Sequence, residues 1–424
     1  MLFKENTRNS SAFSADVVRF GTARTRALLD ALGSPDLKTN IVHVAGTNGK
    51  GSVCASLASV LSEAGYRTGS FFSPAVLFPH ETVRIDGCPV SEETYLRLRG
   101  EVDAVADKMS DAPTAFERET ALALLAFAES GCDFSVLECG LGGRDDATNA
   151  VARKELAVIT SVALDHTREL GDTLTEVARA KAGIIKGRAV SAAQCSEVAR
   201  VIYPLCTAVA VAPPRVEAGA DGTLFDYDCK QWKTALCGRH QAVNSAVVIE
   251  AASQLRKAGF EVPEAALRSG LENVVHHARF EVLKSDNVVN SPYHITVPRG
   301  KTLVLDGAHN PHGARALAET LEDVFGEGKV AAVFGVLADK DVAGIAGTLA
   351  PRFCRVLTVT PPSARALDAE AAKNVFDRAA DALGEFVPTD TARGVREGVE
   401  RLLSDYDTVV VCGSLTLFSD LARG

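Results

Sequence analysis

The chain has 424 residues, 46% of them hydrophobic and 23% charged, with a net charge of −9. One core seldom grows beyond ~250–300 residues, so two domains are expected. The acidic balance excludes binding of nucleic acid by bulk charge, which needs a basic surface, but leaves room for a local cationic cluster facing an anionic substrate.

Apolar positions at helical spacing (Val17, Val18, Phe20, Leu28, Leu29, Leu32) predict a helix from Asp16 to Leu32, stopped by Gly33-Ser34-Pro35. Ile41 to Ala45 is a short β-branched run and reads as a buried strand. A glycine-rich loop follows, then a helix from Ser52 to Ala64 closed by Gly65. The alternation recurs with a helix at Thr120–Glu129, strands at Phe134–Leu137 and Ala157–Ser161, and a helix at Thr173–Lys181. A second series has strands at Leu303–Leu305, Val330–Phe334, Arg355–Val359 and Thr408–Val411, with a helix at Gly313–Phe325. The polar stretch Lys284–Lys301 reads as a loop or hairpin insertion. Repeated strand–helix units predict an α/β fold of two domains. Residues 1–275 form a P-loop-type, mostly parallel sheet with helices on both faces, and residues 276–424 a smaller Rossmann-like α/β domain. The ten cysteines contain no Cys-x-x-Cys pair and read as reduced thiols of a cytoplasmic protein. No apolar run reaches the ~18 residues of a membrane span, and MLFKENTRNSSAF has no signal-peptide core.

The loop reads Gly46-Thr47-Asn48-Gly49-Lys50-Gly51-Ser52. Between a strand and a helix, such a loop turns backbone N–H groups and a helix N-terminus towards phosphates. Lys50 can reach the β- and γ-phosphates of ATP, and the Ser52 hydroxyl can reach Mg²⁺. The loop departs from the standard P-loop: two residues, not four, separate Gly46 from Gly49, and Gly51 follows the lysine. Glu138 stands at the carboxyl end of a predicted strand, where ligands of open α/β sheets collect. It reads either as an Mg²⁺ ligand or as a salt-bridged or capping carboxylate. His166 is left undecided between structural and ligating roles. Lys181 taken alone is an ordinary solvated lysine. Gln241 and Asn244 share a helix face, as an amide pair for adenine edges or as a polar cap.

HVAGTNGKGS from His43, LECGLGGRDDATN from Leu137 and ITSVALDHTRELGDTLTEVARAKAGIIK from Ile159 are followed in order by GRHQAVNSA, LDGAHNPHG, FGVLADKD and GSLTLF. This series resembles the folylpolyglutamate synthase/dihydrofolate synthase family of the Mur ligase superfamily. The resemblance implies an ATP-dependent amide ligase. A carboxylate of dihydropteroate or a (tetrahydro)folate is phosphorylated by ATP, and the amine of L-glutamate then attacks the acyl phosphate. It makes residues 1–275 the ATP-binding central domain and 276–424 the glutamate-ligase domain.

The same resemblance carries roles onto residues. Gly46, Thr47, Asn48, Gly49, Lys50, Gly51, Ser52, Asn244, Arg279 and Asp306 bind nucleotide. Ser52, Ser73, Glu138, His166 and a carbamylated Lys181 hold Mg²⁺. Lys50, Lys181 and His309 serve catalysis. Thr114, Ala115, Phe116 and Glu117, with Arg144, Asp145, Asp146 and Ala147, contact the pterin, while His309, Lys340 and Ser414 place glutamate. Three positions depart from the family pattern: Ala75 replaces a histidine, with His80 and Glu81 nearby, Asp145 replaces a leucine, and His277, two residues before Arg279, replaces a tryptophan. Both activities in one chain are expected, with a single activity as the alternative. Lys50, Glu138, His166, Lys181, Asp306 and His309 together argue against a nucleotide-binding protein that has lost catalysis. The partners are small molecules rather than nucleic acid or membrane, and the chain is expected to be a monomer.

Overall fold

The computed structural model of the chain describes residues 19–288 and 291–422. Its first sheet has eight strands: β1 (Asn40–Ala45), β2 (Thr68–Phe71), β3 (Val83–Ile85), β4 (Cys88–Pro89), β5 (Phe134–Glu138), β6 (Leu156–Ile159), β7 (Ala189–Ser191) and β8 (Ala208–Val209). The spatial order is β4-β3-β2-β5-β1-β6-β7-β8. All pairs from β2 to β8 are parallel, and β3 and β4 add an antiparallel edge. Nine helices accompany this half among the described residues: α1 (Ala23–Ala31), α2 (Lys50–Glu63), α3 (Glu92–Ala106), α4 (Ala115–Glu129), α5 (Thr167–Leu170), α6 (Leu174–Ala182), α7 (Ser196–Ile202), α8 (Arg239–Lys257) and α9 (Glu264–Glu272).

The pleat of β1 explains why the sheet is covered twice. Val42 and Val44 join the core built with α2, α8 and α9. Ile41 joins the core of α1, α3 and α4, and Ala45 that of α6 and α7. A strand buried on both faces carries apolar residues continuously, which is how Ile41–Ala45 announces itself in the sequence. The chain returns to opposite sides of β1 through β5 and β6, so the loop after β1 opens at a topological switch point.

A small antiparallel sheet of β9 (Val216–Gly219), β10 (Gly222–Tyr227) and β11 (Lys230–Thr234) was not foreseen. Its Phe225, Tyr227 and Trp232 pack into the same core as α8, and the Arg268 guanidinium lies 4.3 Å from the centre of the Trp232 ring.

The second domain is a six-stranded sheet of β12 (Glu281–Leu283), β13 (Thr302–Leu305), β14 (Val330–Phe334), β15 (Phe353–Thr358), β16 (Thr389–Thr391) and β17 (Thr408–Cys412), ordered β12-β13-β17-β14-β15-β16. Only β12 pairs antiparallel. Helices α10 (Pro311–Phe325), α11 (Val342–Leu349), α12 (Ala369–Ala382), α13 (Val395–Asp405) and α14 (Ser419–Ala422) accompany it, and two apolar cores form around it.

Two expectations change, and one open choice, between loop and hairpin, falls to the loop. The first helix starts at Ala23, because Gly21 (φ +109°) interrupts the chain before it and Phe20 is exposed; Val17 and Val18 lie outside the described residues. Helix α4 begins five residues before Thr120, because Thr114 and Glu117 form a capping box. The described part of Lys284–Lys301 forms no hairpin; Tyr293, Ile295 and Val297 turn inwards to the second core instead.

Candidate active site

The site begins with the end of β1. Gly49 is the N-cap of α2 at φ +86°, a conformation that favours glycine. A Cβ there would stand 2.4 Å from Asn244 Oδ1, so the amide closes on the bare backbone. Not every loop amide is available to a phosphate. The Thr47 and Asn48 N–H groups both donate to the Ser161 carbonyl, at 2.8 and 3.3 Å. The amides at the start of α2 are those left without an intrahelical acceptor. Lys50 Nζ folds back to the Thr47 carbonyl at 3.2 Å.

Behind Ser52 stands an amide relay. Gln241 Nε2 donates to Ser52 Oγ at 3.3 Å, and Asn244 Nδ2 donates to Gln241 Oε1 at 2.9 Å. Both amides come from α8 and turn towards the phosphate loop. In this arrangement the pair supports the loop.

Glu138, the last residue of β5, is buried and accepts one hydrogen bond, from Ser73 N at 3.3 Å. Burial raises its pKa, opposed by the nearby charges of Lys50 and Arg279. A buried carboxylate with so little compensation is a fitting seat for a cation. Across the cleft, Lys181 Nζ donates to the Gly46 carbonyl at 2.8 Å. Burial, then the charge of Lys50, pushes its pKa down to about 7. Asp165 and His166 line the same cleft as Gly46, Lys50 and Lys181. His166 adopts φ +51° ahead of α5, and burial lowers its pKa. Among the described residues no three His, Cys, Asp or Glu side chains converge as a ready metal cluster. Of the five expected ligands, only Glu138 and His166 are of those residue types, and they are not part of such a cluster.

The second domain reaches this loop directly. Asn310 Nδ2 donates to Asn48 Oδ1 at 3.2 Å, and Asn48 Nδ2 lies 3.2 Å from His312 Nδ1. Lys340 Nζ stands 3.9 Å from Asp165 Oδ1. His309 Nδ1 bonds the Gly307 carbonyl at 2.7 Å, and burial pushes its pKa down to about 4, so the ring is neutral at pH 7. A Cβ on Gly307 would stand 2.5 Å from Arg279 Nη1, which places the guanidinium beside this loop.

Several expected contact residues are already committed to the fold. Asp306 accepts from Phe280 N at 2.9 Å and from Ala308 N at 2.8 Å. Asp146 accepts from Leu141 N at 2.7 Å, from Thr148 N at 2.9 Å and from the Thr148 hydroxyl. Both carboxylates shape loops around the site. Ser414 caps the short turn after β17 by accepting from Thr416 N at 3.3 Å. Glu81 accepts from Val76 N and from Leu77 N at 2.6 Å, so it shapes the loop after Ser73 and is not a stand-in for the missing histidine. Arg144 and Asp145 are exposed, and Ala147 is buried.

The stretch from Thr114 to Glu117 divides. Phe116 stacks on Phe71 and closes over Gly140, its ring 2.5 Å from where a Gly140 Cβ would be. Thr114 and Ala115 instead line a cavity of about 520 Å³ between α3 and α4. Thr114 and Glu117 are bound in the capping box, and Arg24 pairs with Glu117 at 2.9 Å. Thr114→Ala is expected to lower stability by about 1 kcal/mol in urea denaturation, with nucleotide affinity unchanged in calorimetry.

The sequence reading missed a polar network beneath the loop. Lys154 Nζ donates to His43 Nδ1 at 2.8 Å and to Asn149 Oδ1 at 2.6 Å. His43 Nε2 then carries the proton, 2.7 Å from Thr148 Oγ1 and 3.0 Å from Cys139 Sγ. Burial pushes Lys154 down to about 7 and raises the Cys139 thiol. The network ties β1 to the residue after Glu138, and its only sequence signal was a histidine inside an apolar strand.

Residues 44–252 match the Mur ligase middle domain, and residues 293–415 match the Mur ligase, glutamate ligase domain. The chain is 33% identical to the dihydrofolate synthase/folylpolyglutamate synthase of Bacillus subtilis, over 96% of this chain and 95% of that protein. Mycobacterium tuberculosis folylpolyglutamate synthase, solved with ADP and AMPPCP, superposes with a TM-score of 0.82 at 31% identity, covering 96% of each chain. A bifunctional folylpolyglutamate synthase/dihydrofolate synthase solved with Mn, AMPPNP and L-glutamate gives a TM-score of 0.75 at 30% identity, covering 95% of this chain and 94% of that one. With both Mur ligase domains in order and a relative of this identity spanning nearly its full length, the chain belongs to the folylpolyglutamate synthase/dihydrofolate synthase family.

Proposed function

We propose that the chain is an ATP-dependent ligase that adds L-glutamate to dihydropteroate and to folates, giving ADP and phosphate. The observation that carries this reading is the convergence of Lys50, Glu138 and Lys181 on one loop, Glu138 Oε2 standing 3.5 Å from where a Gly51 Cβ would be, and the contact of that loop with Asn310 and His312 of the second domain. The B. subtilis relative bears both activities in its name, and a bifunctional structural relative was solved with a nucleotide analogue, Mn and glutamate.

In this reading the chemistry has two steps. A substrate carboxylate oxygen attacks the γ-phosphorus, the bond to the β-phosphate bridge breaks, and ADP leaves. The glutamate amine then attacks the acyl carbon, loses a proton, and inorganic phosphate departs. Lys50 and the first amides of α2 neutralise the phosphates, since phosphoryl transfer depends chiefly on positioning and electrostatics. Arg279 supplies a forked cation from the linker side. Ser52, Ser73 and Glu138 would hold one Mg²⁺, and His166 with a carbamylated Lys181 would contribute to a second; bound there, such ions would screen the repulsion between carboxylate and phosphate. Neutral His309, with Lys340 and Ser414, places glutamate, and Phe116 with the Arg144–Ala147 segment places the pterin. Asp306 and Asp146 act by holding their loops.

Residues 1–275 form the ATP domain and 276–424 the glutamate domain, the whole acting as a cytoplasmic monomer. A single activity remains the second reading, because exposed Asp145 puts a charge on the segment proposed to meet the pterin. Phosphate release from ATP and glutamate, with dihydropteroate and tetrahydrofolate tested separately, decides between them. Release with both is expected; release with one selects the single-activity reading, and release with neither ends the folate assignment.

A further inference from the structure

His276 lies in the linker between α9 and β12. Its ring stacks at a 35° tilt against Phe72, 5.7 Å between centres. Nε2 is shielded from solvent and has no hydrogen-bond partner. A buried polar atom left unpaired is costly, and a ligand is the usual remedy.

The direction in which the nitrogen faces is informative. A Cβ on Gly51 would stand 2.8 Å from His276 Nε2 and 3.5 Å from Glu138 Oε2. The nitrogen and the carboxylate oxygen thus flank one small space at the first turn of α2, beside Ser52. Glycine after the lysine is what admits the imidazole there.

We propose that His276 is a nitrogen partner, direct or through one bound water, for the divalent cation that Ser52 and Glu138 would hold. This rests on the ATP–metal reading above. Mg²⁺ prefers oxygen, whereas imidazole suits first-row transition ions. The site should therefore favour Mn²⁺ over Mg²⁺ more than an all-oxygen site does.

The test follows Mn²⁺ binding to the full chain, saturated with a non-hydrolysable ATP analogue, through the electron paramagnetic resonance of free Mn²⁺. Mg²⁺ is measured by competition. His276→Phe keeps a ring against Phe72 and removes the nitrogen. The Mn²⁺ dissociation constant is expected to rise about tenfold, the loss typical of a missing metal-site partner, with Mg²⁺ affected much less. His276→Gln, which folds without a second ring, is expected to keep Mg²⁺ binding and lose the preference. Unchanged Mn²⁺ binding overturns the proposal. Equal weakening of both ions overturns it too, because that is what a displaced loop would produce. Metal-free binding of the analogue to the wild type is read by calorimetry alongside. Its absence refutes the ATP reading itself, while its presence with Mn²⁺ binding unaltered in both variants refutes only the role of His276.

Discussion

Lys50→Ala is expected to lower kcat/KM by about 10³-fold and to leave the melting temperature nearly unchanged. The lysine is part-buried and rests 3.2 Å from the Thr47 carbonyl, a contact the folded chain can lose cheaply. Its charge is another matter. The transferring phosphoryl group and the attacking carboxylate are both anionic, and a preorganised cation in a closed cleft is worth about 3–4 kcal/mol to such a transition state. Lys50→Arg is expected to recover little, since the planar fork is larger and less easily fitted than an ammonium. Steady-state phosphate release with a thermal melt checks both variants. Full activity in Lys50→Ala would remove the loop from the mechanism.

Lys181→Ala is expected to cost about 10²–10³-fold in kcat, and the wild-type side chain to carry a carbamate. The amine is buried against the Gly46 carbonyl, close to the charge of Lys50. Burial disfavours the ammonium, so the folded-state pKa falls from 10.5 to about 7. The sign follows directly: as pH rises through 7 the neutral amine becomes the main form, and only that form adds CO₂, forming an N–C bond and releasing a proton. An anionic carbamate also removes the repulsion between two buried cations and supplies oxygen for a hard metal ion. Protein incubated with ¹³C-bicarbonate and Mg·AMPPNP is expected to show a carbamate carbon resonance that is stronger at pH 8 than at pH 6 and absent in Lys181→Ala. A free amine with full activity in CO₂-depleted buffer would refute it.

The strand–loop–helix from residue 40 to 63 was legible because its signals are local: an unbroken apolar run, glycines, then helical spacing. Glu138 was legible for the same reason, as a carboxylate ending an apolar strand. Side chains whose meaning depends on distant neighbours were not. Gln241 supports Ser52 from 189 residues away, and His43 meets Thr148 from 105 residues away. Asp146 and Asp306 show a second limit. Their motifs suggested ligand contact, and nothing in the sequence signalled that both carboxylates also pair buried backbone N–H groups of their own loops. The cap at Thr114 was visible as Thr-x-x-Glu, but it was read as part of a substrate surface before it was read as the start of a helix.

The amide of Asn48 has one further consequence. Its oxygen accepts from Asn310 and its nitrogen meets His312, so a side chain of the nucleotide loop is shared with the glutamate domain. Any ligand that shifts Asn48 must then change how the second domain docks, and docking must change how the loop receives its ligand. Thermodynamic linkage makes that relation reciprocal. The factor by which a ligand of the loop alters affinity for a ligand of the second domain equals the factor in the reverse direction, and Asn48 is a contact across which the two parts meet.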